Sequence, residues 1–159
     1  MNKVGLISLG CAKNLVNSEQ MLYLLREAGY EISGDTDGAD AVVVNTCGFI
    51  ESAKMEAIET ILALGRAKKD GRIKRIIVAG CLSERYKDEM LEELPEIDAL
   101  VGVGSYQDIV AAVRTALGGK LYTKFGDNSI PDPEVDRVIT TSSVWAYLKI
   151  AEGCDNRCA

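Results

Sequence analysis

Three apolar runs punctuate the first half of the chain, and each ends in a glycine–cysteine or near-glycine cysteine. Val4 to Leu9 runs into Gly10-Cys11, Ala41 to Val44 leads through Asn45-Thr46 to Cys47-Gly48, and Ile76 to Ala79 runs into Gly80-Cys81. The middle run, AVVV, has no polar break and is rich in β-branched residues, which fit a strand covered on both faces. Between the runs the spacing of apolar residues changes to a helical one. Leu15, Met21, Leu22, Leu25 and Ala28 fall on one helical face, with Asn14 or Asn17 as the cap, Asn17 and Gln20 in capping-box spacing and Gly29 at the end. Tyr30 to Ile32 starts a short edge strand, followed by a turn-rich stretch from Gly34 to Asp40.

The alternation continues. Ser52 to Lys69 predicts a helix with Ala57, Ile58, Ile61, Leu62 and Gly65 inward, and Lys74 to Ala79 the next strand. A helix capped by Ser83 reaches Leu94 and is stopped by Pro95. Ala99 to Val103 is a fifth short strand, and Ser105 with Asp108 opens a helix that runs to Leu117 and ends at Gly118-Gly119. Strand–helix alternation of this kind implies an α/β fold with a parallel sheet and helices on both faces. The expected architecture is five strands in the flavodoxin-like or Rossmann-like order 2-1-3-4-5. Its switch point falls beside Cys11 and Cys47.

Residues 1–118 thus form one domain. Residues 119–143 carry Gly126, Asp127, Asn128, Pro131 and Pro133 without helical periodicity, and read as a linker with room for one short strand. Val144 to Ala151 reads as a fresh strand, so residues 144–159 are expected to open a second, truncated domain. Without that domain to cover it, the chain after about Lys120 is expected to be loosely anchored.

Composition narrows the chemistry. No apolar run approaches the ~20 residues needed to span a bilayer, and the first ten residues do not form a secretory signal, so the expected location is cytoplasmic, with no membrane partner. The net charge of −6 argues against direct nucleic-acid binding. The absence of histidine removes Ser-His and Cys-His catalytic pairs and every His-ligated metal site. In the cytosol five cysteines do not suggest a disulfide framework.

A lone cysteine after a strand is ordinarily a small buried hydrophobe. Three at equivalent strand ends point instead to a shared ligand site. Three thiolates suit a [4Fe–4S] cluster with one open iron. Zinc is the second reading, although closed zinc sites want four ligands and usually a local Cys-x₂-Cys pair. A disulfide with one free thiol is the third. Cys154 and Cys158 add a Cys-x₃-Cys directly after the last predicted strand. Two charged groups read more simply: the basic Lys68, Lys69, Arg72, Lys74 and Arg75 as a solvated helix end, rather than a docking patch for RNA, and the acidic residues from Glu84 to Glu96 as a solvated face that a basic protein could use.

Gly10-Cys11-Ala12-Lys13-Asn14, Asn45-Thr46-Cys47-Gly48-Phe49-Ile50, Gly80-Cys81 and Ala151 to Cys158 together resemble the radical S-adenosylmethionine methylthiotransferases. The first two motifs resemble the RimO branch, which attaches a methylthio group to an aspartate of the small-subunit ribosomal protein numbered twelve. The tRNA-modifying MiaB branch, the alternative, tends to carry Gln-Met-Asn after the first cysteine. The resemblance implies that Cys11, Cys47 and Cys81 bind an auxiliary [4Fe–4S] cluster. It also implies that Cys154 and Cys158 are two ligands of the cluster that cleaves S-adenosylmethionine, the third falling two residues beyond Ala159. The whole enzyme would then use two [4Fe–4S] clusters and S-adenosylmethionine, and would have a ribosomal protein as its partner. This chain would hold at most the auxiliary cluster, carry no catalytic residue and be inactive alone. A flavodoxin-like flavin module and a zinc-stabilised module are the non-catalytic alternatives; the first is weakened by the scarcity of Ser and Thr between Gly10 and Asn14.

Overall fold

The structure, a computed structural model, describes residues 1–127 and 135–151. The elements run β1 (Lys3–Ser8), α1 (Ala12–Glu27), β2 (Glu31–Ser33), β3 (Ala41–Thr46), α2 (Glu51–Lys69), β4 (Arg75–Gly80), α3 (Cys81–Arg85), α4 (Lys87–Glu93), β5 (Ala99–Val101), a 3-10 turn (Val103–Asp108), α5 (Ile109–Leu117) and β6 (Tyr122–Lys124). The strands form one sheet in the order β2-β1-β3-β4-β5-β6, parallel throughout. The α/β class and the expected order of the first five strands hold. The count is six rather than five, because the linker's short strand pairs with β5, Ala99 opposite Tyr122.

The period-two alternation of β3 builds both halves of the core. Val42 and Val44 point into one cluster with Ile61, Leu64, Met90 and Leu94 from α2, α4 and the turn after it. Ala41 and Val43 point into the other with Met21 and Leu25 of α1 and Ile109, Ala112 and Val113 of α5. All six β3 residues are buried, as an unbroken apolar run requires of a central parallel strand.

Several local expectations change. The predicted helix from Ser83 to Leu94 is two pieces, turned at Tyr86 (φ −122°, ψ 37°). Ser83 does not cap it; its Oγ lies within hydrogen-bond distance of the carbonyls of Gly80 (2.8 Å) and Val101 (2.6 Å), to either of which its one proton can be donated, placing α3 across the ends of β4 and β5. The last helix starts at Ile109, not at a Ser105 cap. Burial, and after it the nearby Asp108 carboxylate, raise the pKa of the Tyr122 hydroxyl on β6.

The stretch after Lys120 is anchored more firmly than expected, through β6 and through contacts of residues 137–149 with α1. Val144 to Ala151, however, does not form the predicted strand. It shows a turn and then irregular backbone, with Val144, Leu148 and Ile150 at 84%, 81% and 90% exposure. No described strand lies beside it, and a strand without a partner leaves its backbone groups unpaired.

Replacing Ile77, fully buried in the centre of β4, with alanine should cost about 3 kcal/mol through lost burial and the cavity left behind. Leu62→Ala, at 39% exposure on α2, should cost well under ~1 kcal/mol. Urea midpoints of the two variants check this.

Candidate functional site

Parallel pairing places the carboxyl ends of β1, β3 and β4 side by side, in the register Ser8–Asn45 and Thr46–Gly80. The chain turns back from β1 to β2 on one side and goes on from β3 to β4 on the other, so the loops after β1 and β3 flank the switch point where such sheets bind ligands. Cys11, Cys47 and Cys81 all line one open cavity there, of about 890 Å³, with Ser8, Leu9, Asn14 and Glu56. All three are free thiols; Cys11 is exposed and the other two are half-buried. Phe49 and Ile50, 86% and 56% exposed, form an apolar part of its wall.

Glycine makes this convergence possible. Gly10 has φ +91°, and a Cβ there would stand 2.6 Å from the Cβ of Cys47. Gly80 has φ +100°, and its Cβ would fall 2.5 Å from both Asn45 Oδ1 and the Thr46 carbonyl. A side chain is thus excluded twice at each position, by conformation and by space. Gly48 closes the chain of contacts, since a Cβ there would lie 2.9 Å from the Cα of Leu82. The first loop therefore packs on the second and the second on the third.

Buried amides fix the loops in place. Asn14 Nδ2 donates to the carbonyls of Leu9 and Thr46, both at 3.0 Å, so one side chain holds the loop before Cys11 to the strand before Cys47. Asn45 Nδ2 donates to the Asn14 carbonyl (2.8 Å) and to Ser18 Oγ (2.9 Å), while its buried Oδ1 has no partner among the described residues. Thr46 Oγ1 reaches the Ala79 carbonyl at 2.7 Å, and Arg85 Nη1 the Gly48 carbonyl at 3.2 Å. Asn14, Asn45 and Thr46 thus bond the backbone around the thiol loops.

Sequence reasoning missed the polar half of α1. Asn14, Asn17, Ser18 and Glu19 are all at most 2% exposed. The signal was present: Asn14 and Ser18 continue, at helical spacing, the inward stripe of Met21, Leu22 and Leu25. A stripe that turns from apolar to amide and hydroxyl marks where the helix leaves the core and meets the loops. The basic cluster lies at the other end of the sheet and is largely ion-paired rather than simply solvated, Lys68 and Arg75 with Asp98 and Lys74 with Asp40. Cys154 and Cys158 lie outside the described residues.

Burial, and after it the neighbouring Cys47, raise the pKa of the Cys81 thiol above its ordinary value, while Lys13 and a backbone hydrogen bond from Gly48 pull the other way. Since the thiolate is the nucleophile, alkylation of Cys81 should still be accelerating at a pH where an ordinary thiol has levelled off. In a mass-spectrometric time course, exposed Cys11 should be alkylated first and Cys81 last. Labelling of Cys81 ahead of Cys11 would contradict the geometry.

The chain matches the model described as "Uncharacterized protein family UPF0004" over residues 3–102. Among curated proteins it is similar to several named "Ribosomal protein uS12 methylthiotransferase RimO". That of Desulforamulus reducens is 53% identical over 161 residues, covering 100% of this chain and 36% of the relative. That of Pelotomaculum thermopropionicum is 52% identical over 158 residues, covering 99% and 36%. That of Thermoanaerobacter sp. is 49% identical over 160 residues, covering 100% and 36%. The chain therefore spans about 36% of the length of these relatives. Their names bear out the resemblance to methylthiotransferases of the RimO branch, and the chain belongs to the UPF0004 family.

Proposed function

We propose that this chain is the cluster-holding part of a cytoplasmic methylthiotransferase that modifies ribosomal protein uS12, with Cys11, Cys47 and Cys81 as the three protein ligands of an auxiliary [4Fe–4S] cluster. The observation that carries the reading is the convergence of these three free thiols on one cavity at the switch point of the sheet. The donor set fits the group, because three soft sulfur ligands and no histidine suit iron–sulfur chemistry.

Zinc fits less well, because closed zinc sites want four ligands and usually a local Cys-x₂-Cys pair, whereas these three thiols come from three separate loops. When bound, the cluster would supply an iron that no cysteine occupies, open to a sulfur species. The chain's own residues bind and orient. Asn14, Asn45 and Thr46 hold the loops before assembly, so little conformational entropy remains to be lost on loading. Phe49 and Ile50 give one side of the cavity an apolar wall.

In the same reading Cys154 and Cys158 belong to the second cluster, which uses S-adenosylmethionine. The ribosomal-protein branch is preferred to the tRNA-modifying one because all the relatives cited above carry the uS12 name.

Anaerobic reconstitution with iron and sulfide should give about one [4Fe–4S] cluster per chain, as iron and acid-labile sulfide content. Cys11→Ala, Cys47→Ala or Cys81→Ala should each sharply lower iron retention, and Cys154→Ala should change it little. Full iron content in Cys47→Ala with loss in Cys154→Ala would overturn the assignment, and stoichiometric zinc in place of iron would favour the structural module.

A further inference from the structure

Helix α1 is polar on two sides. One side holds the thiol loops through Asn14 and Ser18. The other meets the chain far downstream. Glu19 is a carboxylate 2% exposed, and its Oε1 accepts from the backbone amide of Thr140 (2.6 Å) and from the Thr140 hydroxyl (2.8 Å). Its Oε2 faces Arg137 Nη1 at 3.5 Å, and its own carbonyl accepts from the Val138 amide at 3.1 Å. Two residues earlier, Asn17 Oδ1, also buried, accepts from Lys149 Nζ at 2.9 Å. A buried carboxylate is costly unless it is paired and hydrogen-bonded, and among the described residues the Glu19 side chain finds its partners in residues 137–140 rather than in the sheet.

We propose that Glu19 and Asn17 are positioning residues that lock the segment from Arg137 to Lys149 onto the helix that also locks the Cys11 and Cys47 loops. α1 then acts as a splint between the thiol cavity and the chain leaving the domain. The lock itself is independent of what the thiols bind. Its consequence for catalysis rests on the function proposed above, in which Cys154, five residues after Lys149, belongs to the second cluster.

The main readout needs no iron. In hydrogen exchange on the whole chain, the Thr140 and Val138 amides should be protected in the wild type. Glu19→Ala should raise exchange at Thr140 at least about tenfold, with amides of β3 unchanged. Thr140→Val, which removes the hydroxyl bond from the other partner, should loosen the same segment, and the double variant should exchange no faster than Glu19→Ala alone. Trp145, the chain's one tryptophan, lies in this segment, and its fluorescence anisotropy should fall in step. Glu19→Gln, which keeps the oxygen that accepts from Thr140, should retain part of the protection. Iron uptake on reconstitution should match the wild type in all variants, which separates this inference from the cluster assignment. Unprotected amides at Thr140 and Val138 in the wild type, or protection that survives in Glu19→Ala, would overturn the proposal. So would loss of β3 protection in Glu19→Ala with an unchanged Thr140→Val profile, which would assign Glu19 to the core.

Discussion

The thiol edge depends on one constraint, the parallel register of β3 between β1 and β4. Side chains along a strand alternate faces, so a slip of one residue would exchange Val42 and Val44 with Ala41 and Val43 and put each set into the wrong half of the core. The register is thus fixed by burial on both faces. The same register sets where each strand ends, and hence where Cys11, Cys47 and Cys81 emerge. The hydrogen bonds of Asn14, Asn45 and Thr46 refine that placement, but they could not form in any other alignment.

This division explains why some features were legible in the sequence and others were not. The apolar runs of β1, β3 and β4 and the helical spacing of α2 and α5 carry burial directly, so the fold class, the order of the first five strands and the meeting of three thiols could be read from them. Capping was read less well. Asn14, Asn17, Ser83 and Ser105 all look like caps in isolation, yet the structure spends or buries them elsewhere: Asn14 on loop carbonyls, Asn17 on Lys149, Ser83 across two strand ends. A cap is a local preference worth about 1 kcal/mol, and tertiary partners easily outweigh it. Glu19 was invisible for a related reason. A glutamate in a helix is ordinarily solvated, and only a partner some 120 residues away makes its burial tolerable.

The predicted strand from Val144 shows the limit of pattern reading from the other direction. Its apolar residues signal a preference for burial, but a strand is a property of a pair, and the described residues offer it no neighbour. Residues 137–140 gain fixed structure without a strand, through the carboxylate and carbonyl of Glu19.

The spread of the cysteines along the chain has a consequence for the order of events during synthesis. Cys11 and Cys81 are separated by seventy residues, and the wall they share exists only once β4 has joined β3. Before that moment at most two thiols face each other, and the emerging chain offers no pocket in which three sulfur atoms meet. Contacts this distant in sequence form late, after the local helices. Any group that requires all three cysteines can therefore be received only by a folded domain. A chain stalled before β4 would present two bare thiols to solvent, open to oxidation.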